Sequence, residues 1–145
     1  MKYTIGIDVG TSGTKTVLFD SLGKKQASHT VEYPLYQPKN GWAEQDPADW
    51  KNAVFETVRT VMEKSGVDKN DVVGIGISGQ MHGLVILDEN DNVIRPAILW
   101  NDGRTTEETD YLNNVIGKDK LSEYTANIAF AGFTAPKILW VKNKE

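Results

Sequence analysis

The chain has 145 residues, with 16 basic and 20 acidic side chains, a formal net charge of −4 and no cysteine. That excludes a disulfide scaffold, a thiolate metal site and a cysteine nucleophile, and it lacks the clustered basic footprint of a nucleic-acid surface. No apolar run reaches the length of a spanning helix, and Asp8 interrupts the first apolar stretch too early for a secretion signal. The expectation is a cytoplasmic globular chain, one domain or part of one.

In chain order, 3–9 (YTIGIDV) predicts a buried strand and 16–19 (TVLF) a second, joined by the turn GTSGT. Asp20-Ser21-Leu22-Gly23 has turn chemistry, and a more polar third strand is expected over 25–33. Asp46-Pro47-Ala48-Asp49 is a helix start, with Asp46 as cap and Pro47 at the first helical position. Trp50, Ala53, Val54, Val58, Val61 and Met62 then recur at three- and four-residue steps, and Ser65-Gly66 closes that helix. Strands are expected over 72–78, 84–87 and 98–100, with a turn at Asp88-Glu89-Asn90-Asp91. Helices are expected over 106–116, 118–124 and 136–144, the last capped by Thr134. The order implies an α/β fold with a mixed sheet that opens in a three-strand antiparallel meander.

Two glycine patterns mislead. Gly74-Ile75-Gly76-Ile77-Ser78-Gly79 satisfies G-x-G-x-x-G, but its glycines lie inside the strand rather than between a strand and a helix. Small residues letting a helix pack close on a central strand are the simpler account. Gly10-Thr11-Ser12-Gly13-Thr14-Lys15 lacks the glycine before the lysine that a Walker loop needs, and a strand follows it.

Asp8 ends an apolar strand, where a carboxylate is costly to bury alone and is expected to face a cleft. After it come two glycines, the hydroxyls of Thr11, Ser12 and Thr14, and Lys15. Close backbone approach, hydroxyls and one cation suit a phosphate chain, and an adjacent carboxylate suits magnesium. The alternative is an ordinary hairpin capped by Asp8. Gln80-Met81-His82-Gly83 follows a strand, where sheets of this class open onto ligand crevices. A histidine between glycines 79 and 83 can reach sugar hydroxyls, with Met81 as an adaptable wall; a lone surface histidine is the alternative. Trp100 can offer a ring face to a sugar or sit in the core, and Asp102 and Arg104 can pair across their loop.

The segments GIDVGTSGTK (6–15), GWAEQDPADW (41–50), GISGQMHG (76–83), RPAILWNDGRT (95–105) and GFTAPKILWV (132–141) together resemble the FGGY family of carbohydrate kinases. The resemblance implies an actin-like, ribonuclease-H-like fold of two domains, with ATP and sugar in the cleft between them. It implies transfer of the γ-phosphoryl of MgATP to the terminal hydroxyl of D-xylulose, with another sugar, a polyol or gluconate as the alternative acceptor. By the same resemblance Asp8 lies on the phosphate and Mg2+ side. Thr11, Ser12, Gly13 and Lys15 form the first phosphate loop, and Met81, His82, Trp100, Asn101 and Asp102 line the sugar side. GWAEQDP is expected to be structural. The resemblance also implies that residues 1–145 are an incomplete N-terminal domain, without the general base or the second, ATP-binding domain. Such a piece is expected to be inactive alone; the alternative of another class is a non-catalytic truncated module that binds sugar weakly and can form a homodimer. A ribonuclease-H-like nuclease is disfavoured, because the strand ending in Ser78-Gly79 carries no acid.

Overall fold

The computed structural model describes Met1 to Glu145, which divide into two compact units. The first comprises Met1–Leu35 and Pro47–Gln80, the second Tyr36–Asp46 and Met81–Glu145.

In the first unit, β1 (Tyr3–Val9), β2 (Gly13–Asp20), β3 (Lys25–Glu32) and β5 (Val72–Gly79) form one sheet in the order β3-β2-β1-β5. β1 and β2, and β2 and β3, pair antiparallel; β5 returns parallel to β1. The crossover between them is α1 (Pro47–Ser65), followed by a 3-10 turn (Lys69–Asp71). The side-chain alternation of the strands sorts the sheet into two faces. Ile5, Ile7 and Leu18 point toward α1 and form the core with Val61, bordered by Val54, Val58 and Met62. The expected apolar stripe of α1 is therefore its packing face. The stripe also contains a threonine: buried Thr57 bonds the hydroxyl of buried Thr16 at 2.7 Å. Gly66 closes the helix at φ 65°.

The glycines of β5 correct a sequence expectation. Gly74, Gly76 and Ser78 lie in register with Thr4, Gly6 and Asp8, on the face away from α1. They make no room for that helix, and β5 is an edge of the sheet rather than its centre.

In the second unit the only regular sheet is the pair β4 (Glu44–Gln45) and β6 (Ala97–Ile98). The strand expected over 84–87 reduces to isolated bridges, Leu84 to Ile98 and Leu87 to Val93. Its tip is the expected turn: Asp88 Oδ1 accepts from the amides of Asn90 and Asn92 while Asp91 adopts φ 63°. The helix expected over 106–116 is broken into α2 (Thr106–Asp110) and a π-helical segment (Tyr111–Gly117), with α3 (Lys118–Thr125) after it. Within the π segment, Asn113 exchanges both amide hydrogen bonds with the backbone of Ala129 at 2.9 Å, a long-range tie that no helical period announces. α4 (Thr134–Lys144) starts earlier than expected, with Phe133 rather than Thr134 at the cap position. The core here is Leu84, Ile98 and Trp140, with Trp42, Ile86 and Val141 against it. No helix is long and apolar enough to cross a membrane.

Candidate functional site

In the first unit Asp8 and Lys15 are register partners on β1 and β2, both exposed on the sheet face away from α1. They border a shallow depression of about 390 Å³ with Gly6, Val17, Gly76 and Ser78 in its wall. The turn that follows Asp8 is tightly tied. Gly10 N–H donates to Gly13 O at 3.0 Å, and the Tyr33 hydroxyl donates to Gly10 O at 2.5 Å while lying 3.4 Å from the Thr14 hydroxyl. Gln80, one residue past β5, donates its backbone N–H to Val9 O at 2.8 Å, and its side-chain oxygen accepts from Thr11 Oγ1 at 3.2 Å. Gly13 is required by packing: a Cβ there would stand 2.7 Å from Val31 O on β3. Ser12 is left exposed at the tip. Tyr33, and the tie that Gln80 makes to this turn, escaped the sequence reading, because both act across long chain separations. Burial pushes the Tyr33 phenol pKa up, opposed by the Thr14 hydrogen bond, with the negative charge of Asp8 adding to the rise.

The donor set fits a phosphate-bound magnesium ion. Mg2+ keeps several waters and takes one or two carboxylates plus substrate phosphates, so a single exposed carboxylate beside a cation and hydroxyls suffices.

In the second unit Met81 is 65% exposed and His82 half-buried. His82 itself, rather than a flanking glycine, adopts φ 59°, in the left-handed region. Its ring stacks on Phe133, centroids 4.3 Å apart and planes 15° from parallel. Its carbonyl accepts from Lys137 Nζ at 2.8 Å and from Thr134 Oγ1 at 3.4 Å. His82 and Phe133 also edge a cavity of about 460 Å³ walled by Leu112, Leu121, Ile128 and Pro136.

Trp100 and Asn101 are exposed on the next loop, whereas Asp102 turns inward. Its buried carboxylate receives the Ala43 amide at 2.6 Å and a two-pronged contact from Arg104, Nε at 2.9 Å and Nη2 at 2.7 Å. Arg104 also pairs with Glu44 at 2.8 Å and stacks over Trp42 at 3.6 Å, and Glu44 reaches Arg95 at 2.7 Å. The Asp102–Arg104 pairing expected from sequence is present, but in a buried network rather than on an exposed loop. Its effect is to fix the loop bearing Trp100 and Asn101. Glu44 and Trp42 give the GWAEQDP segment its structural part.

A meander of three antiparallel strands, a crossover helix and a parallel fourth strand is the opening of an actin-like fold, shared with solved carbohydrate kinases. Residues 3–145 match the FGGY family of carbohydrate kinases, N-terminal domain, and the chain belongs to that family. A xylulose kinase from Bacillus subtilis is 48% identical over all 145 residues, which make up 29% of its length. The ligand-bound xylulose kinase from Lactobacillus acidophilus superposes with a TM-score of 0.87 at 35% identity, covering 99% of this chain and 29% of that one. The gluconate kinase from the same organism gives 0.89 at 36% identity, covering 99% and 28%. The chain thus spans about three tenths of the length of the relatives it matches.

Proposed function

We propose that the chain supplies the first phosphate loop and part of the acceptor site of a kinase that transfers the γ-phosphoryl of MgATP to D-xylulose. The observation that carries this reading is the unbroken match of the chain to relatives named xylulose kinase. In the reaction the sugar hydroxyl oxygen bonds to the γ-phosphorus, the bond to the ADP oxygen breaks, and the hydroxyl proton passes to a base. Bound magnesium neutralises charge on the phosphate oxygens. Phosphoryl transfer depends on positioning and charge stabilisation, and these residues are suited to both. The Ser12 hydroxyl at the turn tip and Lys15 bind phosphate oxygens, and Thr11, whose hydroxyl donates to Gln80, holds the turn that presents them. Asp8 would hold the magnesium ion, directly or through water. Met81 and His82 contact the sugar, Trp100 and Asn101 border it, and Asp102 holds their loop from beneath. The general base is assigned to no residue of this chain.

A chimera tests the reading: residues 1–145 replace the matching segment of the Bacillus subtilis xylulose kinase. ADP release that depends on D-xylulose is expected, while the 145 residues alone release none. Asp8→Asn in the chimera is expected to lower kcat by about 10²-fold or more, as loss of a charge-stabilising group does. A folded chimera that ignores D-xylulose overturns the assignment. One that prefers gluconate favours the second reading, which the likeness to a gluconate kinase keeps in play.

A further inference from the structure

We propose that Lys137 is a positioning residue for His82, so that the Gly132–Lys137 stretch acts as a socket holding the imidazole in the orientation the acceptor meets. The proposal rests on the reading above that His82 contacts the sugar.

A non-glycine residue at φ 59° persists only where its surroundings over-determine it. Three side chains from one short stretch do so here. Phe133 fixes the ring plane by stacking, and Thr134 and Lys137 both donate to the carbonyl of the same histidine. Lys137 is fully buried, an expensive place for an ammonium unless it is hydrogen-bonded. Its other contact is Gly132 O at 2.5 Å, so the cation ties the histidine bend to the turn that precedes α4. Gly132 is itself constrained, since a Cβ there would collide with the Trp100 carbonyl. A lysine that merely filled space would not spend two donors on two separate chain segments, one of them a strained residue.

The test uses the 145-residue chain, whose two histidines, His29 and His82, give separate imidazole resonances assignable with His29→Gln. In the wild type, His82 ring protons should be shifted upfield by Phe133 and show cross-peaks to its ring. Lys137→Met, which keeps length and removes the donors, should lose both while helical circular dichroism and the His29 signals stay unchanged. Lys137→Gln, with one amide donor group, should lie between. In the chimera, KM for D-xylulose should rise about tenfold with Lys137→Met, within the ~10²-fold that misplacement of a contacting group can cost. A folded Lys137→Met chain with wild-type His82 signals overturns the proposal. So does unfolding of both variants, which would make Lys137 a residue of the fold alone. If the chimera shows no turnover of D-xylulose, the acceptor reading fails, and the ring-shift comparison still decides the positioning role.

Discussion

Lys137 makes the folded state sensitive to pH in the direction opposite to a lysine held in an ion pair. Burial lowers its pKa from 10.5 to about 8, with the Asp102 charge working against the fall and Arg104 with it. Between about pH 8 and 10.5 the unfolded chain keeps a proton that the folded chain has released, so stability should rise with pH across that window and show no Lys137 contribution to the slope below it. The neutral amine keeps two N–H donors, enough for both carbonyls. Urea unfolding at stepped pH should show the rise in the wild type and its absence in Lys137→Met. Asp102→Asn carries a second prediction. The substitution leaves buried Arg104 with Glu44 as its remaining carboxylate partner, so stability should fall, by less than the ~3–5 kcal/mol of a fully broken buried pair, read by chemical denaturation. Asp8, Lys15 and His82 stand out in the sequence because their chemistry is out of place in apolar or glycine-rich surroundings. Lys137 was not: within a helical stretch ending in Lys142 and Lys144 it looks like another solvated lysine.

For the elements, the closest dependency is between α1 and the sheet. The Thr16–Thr57 bond is buried, so Thr57→Val strands the Thr16 hydroxyl and should cost about 1–3 kcal/mol. Replacing both by valine should recover part of that loss, a coupling measurable by a double-mutant cycle. Gly13→Ala forces β3 aside and should destabilise by about 1–3 kcal/mol. The meander, α1 and β5 were readable because each writes its own period or turn residues into a short window. The interruption at Tyr111–Gly117 was not, since the tie from Asn113 to Ala129 comes from outside the window. The 84–87 strand failed for a related reason: of its four residues only Leu84 and Leu87 make a bridge partner, and Val85 and Leu87 stay exposed.

At the scale of the whole chain, the sequence order hides a division that the contacts reveal. Tyr36–Asp46 sits between two elements of the first unit yet belongs to the second, because β4 pairs with β6 and Glu44 pairs with Arg95 and Arg104. Pairing at such separation leaves no local signal, whereas the family did, because five short segments in fixed order outweigh any one of them.

The edge strand β5 has a practical consequence. Val73, Ile75 and Ile77 are 61%, 60% and 72% exposed along a strand whose outer backbone has no neighbour in its sheet. A ribbon of branched aliphatics with free amides invites another such ribbon to zip onto it. Purified samples of these 145 residues alone should therefore scatter more light as concentration rises and lose material on standing, and Ile77→Lys should keep them clear.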